Sequence, residues 1–455
     1  MIDLSFLAGK HVAILGLGRS GMAAYHALMP VCQTLRVWDD GDAPQDVALQ
    51  HYDAWDWQRL DVIVMSPGIP YTHPTPHPIV ALAQAHKVRI TCDITLLMEA
   101  CPEARFIGIT GTNGKSTTTA LLHHCVQSHG MAVQCGGNIG TPALALTPLT
   151  EGGTYVLELS SYQLDLMDGG ALDIACLLNI SPDHLDRHGG MEGYITAKTR
   201  IFAGQQGSVS TNTIPIGEAH AIIAMDDAYT QNIAATMPHA IYVSLACRER
   251  CSYYMDGSLL VDHTSATPFI AMNMEDAPHL QGRHNHQNAL IVYAACRMLG
   301  MAPEAIARYM ASFPGLAHRM EVLGERDAVL YVNDSKATNA DATSKSLATY
   351  EHIYWIVGGV AKAGGIASLA PYFSRIAHAY CIGESGASFA QILAQHEVPA
   401  TQLDTLEQAV RAAHQAARNA GGGVVLLAPA AASFDQFTSF EHRGEVFRQL
   451  VTQCT

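Results

Sequence analysis

The chain has 455 residues, 49% of them apolar and 15% charged, with a formal net charge of −15. That length corresponds to two to four domains of roughly 100–200 residues, and the composition excludes a disordered chain. The acidic balance argues against a nucleic-acid partner, which would demand a basic surface, and no apolar run approaches the roughly 18 residues of a membrane span.

Residues 1–10 are short and carry Asp3 where a secretion signal needs positive charge. Eleven cysteines are scattered from Cys32 to Cys454 without a Cys-x-x-Cys pair, Cys247 and Cys251 coming nearest. Reduced, buried thiols in a cytoplasmic protein are therefore expected.

Residues 11–15, His-Val-Ala-Ile-Leu, predict a buried strand running into Gly16-Leu-Gly-Arg-Ser-Gly21 and an alanine-rich helix. A second strand over 35–38 leads to Asp39, so the stretch carries a dinucleotide fingerprint in its proper context. The same turn also serves other diphosphates, or simply packs helix on strand. A further strand over 61–65 ends at Ser66-Pro-Gly68, residues 70–78 read as a proline-rich turn, and residues 93–100 as a linker helix.

The strongest signal is Arg105-Phe-Ile-Gly-Ile-Thr-Gly-Thr-Asn-Gly-Lys-Ser-Thr-Thr-Thr119. An apolar β-branched strand gives way to glycines, then to Lys115, Ser116 and a helical run through Ser128, the order of a phosphate cradle. Gly111 and Gly114 let backbone amides close around phosphate oxygens, Lys115 supplies a point charge, and Ser116 a hydroxyl for magnesium. Ile109 stands where the common spacing asks for glycine.

Gly136-Gly-Asn-Ile-Gly140 predicts a turn that brings Asn138 near a ligand, and the strand from Thr154 carries Glu158 near its end, where phosphate-loop enzymes place a magnesium-associated carboxylate. A strand over 174–180 leads to Ser181-Pro-Asp-His-Leu-Asp-Arg187, in which Asp183 suits a helix N-cap compatible with a role for His184. Residues 191–202 read as a helix on which an exposed Lys198 is the default. Gly257 marks a hairpin, and the polar run 281–288 opens an alanine-rich helix. From Gly315, strands over 329–332, 353–357, 379–382 and 423–427 alternate with helices, the pattern of a parallel doubly wound sheet. Polar clusters follow three of them: Asn333-Asp-Ser-Lys-Ala-Thr-Asn339, Gly358-Gly359 with Lys362, and Ala428 to Phe437.

Together these motifs resemble the Mur ligases of peptidoglycan synthesis across nearly the whole chain. The Glu158-Leu-Ser-Ser161, Asn333 to Asn339 and Ser433-Phe-Asp-Gln-Phe437 motifs favour the D-glutamate-adding branch. The resemblance implies an α/β protein of three domains. These are a Rossmann-like UDP-sugar domain over 1–94, a central ATPase with a mainly parallel sheet over 95–314, and a Rossmann-like C-terminal domain over 315–455 that closes over the site. It implies a cytoplasmic monomer with ATP and Mg²⁺ as cofactors, and UDP-N-acetylmuramoyl-L-alanine and D-glutamate as substrates joined through an acyl phosphate.

By the same resemblance, Lys115, His184, Lys198 and Lys336 are catalytic. Ser116 and Glu158 hold one magnesium, and His184 with a carbamylated Lys198 the second. ATP meets Gly111, Thr112, Asn113, Gly114, Lys115, Ser116, Thr117, Asn285, Asn288, Arg319 and Asp334. The UDP-sugar meets Arg19, Ser20, Ser66, Gly68, Asn138, Ser160 and Gln163, and D-glutamate meets Thr338, Lys362, Ser433 and Phe440. Two departures stand out: Asp40-Gly41 replaces a Thr-Arg pair at the uracil end, and Val360-Ala361 replaces an acidic residue before Lys362.

Overall fold

A computed structural model describes residues 2–41, 46–204, 220–246, 248–362 and 364–454. The chain divides into two compact units, Met1–Phe313 and Pro314–Thr455. Cys247 lies outside the described residues, and the ten described cysteines are free thiols. No helix among the described residues is long and apolar enough to cross a membrane.

The first unit carries two sheets, one on each side of the expected boundary at 94/95. Strands β1 (His11–Leu15), β2 (Thr34–Trp38), β3 (Val62–Met65) and β4 (Arg89–Thr91) pair in parallel in the order β2-β1-β3-β4. The larger sheet comprises β5 (Arg105–Thr110), β6 (Val133–Gly137), β7 (Thr154–Glu158), β8 (Ile174–Leu177), β9 (His220–Ala224), β10 (Ile241–Ser244), β11 (Tyr253–Asp256), β12 (Leu259–Asp262) and β13 (Phe269–Asn273). Its order is β13-β12-β11-β10-β9-β8-β5-β7-β6. All pairings are parallel up to β11, where two antiparallel hairpins finish the edge. Gly257, at φ +65°, turns the first of them.

Continuous apolar runs are what a parallel strand buried on both faces requires. On β8, Ala175 and Leu177 join one core while Ile174 and Cys176 join the other. The second core is closed by the Lys115–Ser128 and Arg283–Met298 helices. Strand order reverses beside β5, so the carboxyl ends of β5, β6, β7 and β8 open one crevice, the usual place for a ligand in such sheets.

The second unit is built on β14 (Glu321–Arg326), β15 (Val329–Asn333), β16 (Ile353–Gly358), β18 (Ile376–Ile382), β19 (Ala400–Gln402) and β20 (Gly423–Leu427), ordered β14-β15-β20-β16-β18-β19. Two short strands, β17 (Val360–Ala361) and β21 (Ala431–Ala432), pair separately. The four strands expected here are present and parallel, but β14 adds an antiparallel edge. Its mostly exposed, charge-rich residues hid it from a search for apolar runs. On β16, Ile353, Trp355 and Val357 face one core, and Tyr354 and Ile356 the other.

Trp355 is fully buried and its Nε1 donates to Ala428 O at 2.8 Å. Trp355→Ala should destabilise the second unit by about 3–5 kcal/mol, through the cavity and the orphaned carbonyl, measured as a lowered urea midpoint.

Candidate functional site

The phosphate-loop candidate grows out of β5. Thr110 Oγ1 donates to Leu159 O at 2.8 Å, tying the end of β5 to its neighbour β7. Gly111 then turns at φ +157° and Gly114 at φ +87°. A Cβ at Gly114 would stand 2.3 Å from Asn288 Oδ1, so glycine is required on both conformational and steric grounds. The Lys115–Ser128 helix starts here, so its first-turn amides and positive dipole end lie at the loop. Lys115 Nζ donates to Gly111 O and Thr112 O, both at 2.8 Å, so the ammonium folds back over the loop.

Asn179 holds the loop from the other side, a role that sequence reasoning missed. Thr112 N donates to Asn179 O at 2.8 Å, Asn113 N to Asn179 Oδ1 at 2.9 Å, and Asn179 Nδ2 returns to Asn113 O at 3.2 Å. The available signal was a polar residue two positions past the buried strand β8. Asn288, beside Gly114 on the Arg283–Met298 helix, donates its Nδ2 to Asn285 Oδ1 at 3.2 Å.

Glu158 ends β7 and is only 1% exposed. Its Oε1 accepts from Asn138 Nδ2 at 2.8 Å, and its backbone oxygen accepts from Asn138 N at 2.9 Å. The expected glycine turn is thus the end of β6 docked on Glu158. Oε2 is buried with no hydrogen-bond partner among the described residues. Such an oxygen is costly to leave unpaired, and a hard divalent cation satisfies it. Among the described residues no group of three or more His, Cys, Asp or Glu side chains is placed to hold a metal. Ser116 and Glu158 offer a hydroxyl and a carboxylate, donors that suit magnesium completed by phosphate oxygens and water.

Lys198 corrects the default expectation of an exposed lysine. It is 1% exposed, because the Met191–Thr199 helix turns Tyr194, Ala197 and Lys198 inward together. Its Nζ donates to Gly111 O at 2.9 Å and to Thr110 Oγ1 at 3.4 Å, and lies 4.8 Å from the Tyr194 ring centre. Burial, reinforced by the Lys115 charge, holds the amine well below the ordinary lysine range, against the opposite pull of Asp183 and Glu158. His184 is exposed, in the left-handed region at φ +51°, with Nε2 3.4 Å from Asp183 Oδ2 and its ring 5.1 Å from that of Tyr162. It is His184, not Asp183, that occupies the N-cap of the Leu185–His188 helix, without a side-chain cap bond.

A cleft of about 250 Å³ lies at the carboxyl ends of β1 and β3, where Arg19, Ser20, Ser66, Gly68, Asn138 and Gln163 all contribute to the lining. Arg19 Nη2 donates to Asn138 O at 3.2 Å, and Ser66 Oγ to Gly16 O at 2.8 Å. Both carboxylate oxygens of Asp39 accept backbone amides, from Leu17 and Gly41, so this acid braces the glycine turn. Ser160 is absent from the lining. Instead Ser160 and Gln163 form a capping box on the Ser161–Leu166 helix.

In the second unit, Asp334 is buried and its two oxygens accept from Met320 N and Ser346 Oγ. Burial raises its carboxyl above the usual range, opposed by Ser346 and the Arg319 charge. Lys336 Nζ sits 5.4 Å from the centre of the half-buried Phe440 ring. Thr338 N donates to Lys336 O at 2.8 Å, Ser433 is buried, and Lys362 is exposed. Arg443, missed from sequence, is 1% exposed and binds Ser335 Oγ, Ser335 O and Ala431 O at 3.0–3.1 Å. It joins the segment holding Lys336 to the one holding Ser433. Burial pushes its guanidinium down to about 10.

A strand, a glycine-cornered loop with lysine and serine, and a helix N-terminus beside a buried acid define a phosphate-loop nucleotide-binding protein of the α/β class. Residues 109–296 match the Mur ligase middle domain and residues 318–431 the Mur ligase glutamate ligase domain. The UDP-N-acetylmuramoylalanine–D-glutamate ligase of Paramagnetospirillum magneticum is 45% identical over 99% of this chain and 98% of its own. That of Rhodospirillum rubrum is 46% identical, covering 99% and 96%. The chain belongs to the Mur ligase family. Among solved structures, MurC of Thermotoga maritima shares the fold with a TM-score of 0.59 at 15% identity, covering 98% and 100% of the two chains. MurF of the same organism, solved with ADP, gives 0.56 at 15% identity, covering 100% and 98%.

Gly114→Ala should weaken binding of a non-hydrolysable ATP analogue by at least about tenfold, since the loop must shift off Asn288, read by calorimetry with an unchanged circular dichroism spectrum. Lys198 also makes stability depend on pH. With its folded value below the ordinary 10.5, the folded state binds fewer protons, so stability rises with pH across that window and the full penalty applies beneath it. In CO₂-free buffer, Lys198→Met should flatten this rise in urea unfolding as pH climbs toward 10.5.

Proposed function

We propose that this chain is an ATP-dependent ligase that joins D-glutamate to the carboxylate of UDP-N-acetylmuramoyl-L-alanine. The observation that carries this reading is full-length identity of 45–46% to proteins bearing that name. The chemistry of the site supports it. A carboxylate resists attack by an amine, so it is first phosphorylated by ATP. The amine of D-glutamate then adds to the acyl phosphate, and phosphate leaves as the amide forms.

Each group has a task suited to its surroundings. Gly111 to Thr117 cradle the phosphates with backbone amides, and Lys115 neutralises charge on the transferred group. Ser116 and Glu158 would hold one Mg²⁺, and His184 with Lys198 the second. Magnesium supplies charge stabilisation to the phosphoryl oxygens when bound. Burial disfavours the charged form of Lys198 and so favours the free amine, the nucleophile toward CO₂. The product is an anionic carbamate, with one proton released, and it gives the side chain an oxygen ligand for the cation.

Asn285, Asn288, Arg319 and Asp334 serve ATP in this scheme, the last by ordering the Arg319 segment, since its own oxygens are engaged. The cleft residues Arg19, Ser20, Ser66, Gly68, Asn138 and Gln163 receive the UDP-sugar, and Ser160 shapes that wall through its capping box. Lys336 sits by the transferred phosphoryl, and Thr338, Lys362, Ser433 and Phe440 bind D-glutamate. Residues 1–94, 95–314 and 315–455 act as three domains of a cytoplasmic monomer.

Phosphate release from ATP and Mg²⁺ with UDP-N-acetylmuramoyl-L-alanine should occur with D-glutamate and not with a panel of other amino acids. Lys115→Ala should lower it by at least about 100-fold, the scale of losing a charge aimed at a transferring phosphoryl. Turnover with another amine only, or full activity of Lys115→Ala, would overturn the assignment.

A further inference from the structure

Two adjacent aspartates just past β9, Asp226 and Asp227, converge on the short segment that holds the phosphate loop. Asp227 Oδ2 accepts from Ile180 N at 3.1 Å while its Oδ1 caps the Ala228–Ala235 helix through Thr230 N. Asp226 works through an intermediary. Its Oδ2 accepts from Gln287 Nε2 at 2.8 Å, and its Oδ1 accepts from Ser244 Oγ and Leu245 N at 2.9 and 2.8 Å. The buried Gln287 then accepts with Oε1 from Asn179 Nδ2 at 2.9 Å, and Asn179 presents Oδ1 to Asn113 N.

The polarity of this chain is set at one end. An ionised carboxylate only accepts, so Gln287 must turn its NH₂ toward Asp226 and its carbonyl toward Asn179. Asn179 must in turn offer NH₂ to Gln287, which leaves its carbonyl for the loop amide of Asn113. Were the amides reversed, two acceptors would face each other at Asp226 and the loop amide would meet an NH₂ group. Gln287 also sits on the same helix as Asn285 and Asn288.

We propose that Asp226, Gln287 and Asn179 form a polarised hydrogen-bond relay that positions the phosphate loop for nucleotide binding, with Gln287 and Asp226 as positioning residues. The proposal rests on the ATP-dependent reading above and adds a determinant of ATP affinity remote from the phosphates. Neither Gln287 nor Asp226 needs to touch ATP, so their substitution acts on loop order.

The polarity allows a swap test. Gln287→Glu alone sets two carboxylates against each other, whereas the Asp226→Asn/Gln287→Glu pair restores a donor facing an acceptor at every link and keeps the total charge. KM for ATP and calorimetric affinity for a non-hydrolysable ATP analogue are measured on the full-length protein, with melting temperature alongside. Gln287→Glu should weaken analogue binding and raise KM by about tenfold or more, the scale of breaking a hydrogen bond to a charged group. The double variant should return to within about threefold of the parent, with kcat little changed in both. Unchanged affinity in Gln287→Glu, or a double variant no better than the single one, would overturn the relay. Should Gln287→Glu fail to fold, the double variant alone decides, since near-parental affinity supports the relay and a tenfold loss overturns it. A parent protein that binds no ATP analogue would instead overturn the ATP-dependent reading itself.

Discussion

Two ionisable groups of opposite ordinary charge, Glu158 and Lys198, are held out of water around one phosphate loop. Charge in a low-dielectric interior persists only when paired, coordinated or neutralised. Glu158 satisfies one oxygen with Asn138 and leaves the other without a partner among the described residues, while burial holds the Lys198 amine well below the ordinary lysine range. Both arrangements place reactive capacity where the loop exposes its amides. A carboxylate oxygen that lacks a donor and an amine whose charged form is disfavoured are poor contributors to stability and good ones to chemistry.

The rest of the first unit is arranged to keep that loop in place. Its glycines remove side chains where Asn288 and Leu178 press against the backbone. Asn179 supplies hydrogen bonds to the two residues that precede Gly114, and the chain of amides behind it ends on a carboxylate that has no freedom to donate. The second unit uses a related device. Arg443 is buried among oxygen acceptors and fastens the Ser335 and Ala431 segments together, so that Lys336 and Ser433 lie on braced loops. In both units a fully buried or acceptor-only group fixes the polarity of neighbours that carry the proposed contacts.

Much of this was legible along the chain. Apolar runs marked the parallel strands because burial on both faces forbids alternation, and the glycine, lysine and serine pattern marked the cradle because few other residues permit that turn. Lys198 was legible only through family resemblance, since a helix with one lysine among Tyr194, Ala197 and Thr199 does not announce which face turns inward. Ser160 and Gln163 read as ligand contacts, yet their capping box gives them a local duty as well. Asn179, Asp226, Gln287 and Arg443 went unseen because their partners are remote in sequence, with separations of up to 108 residues.

By itself, the sequence determined the class of fold, the place of the phosphate loop and the identity of its glycines, lysine and serine. These are properties of short segments, governed by backbone conformation and by the periodicity of burial. Tertiary structure alone decided which polar groups are deprived of water, which amide faces which carboxylate, and so which lysine has its charged form disfavoured and which carboxylate oxygen is left without a donor. Desolvation and hydrogen-bond polarity depend on groups that approach from distant parts of the chain, and no local pattern encodes them.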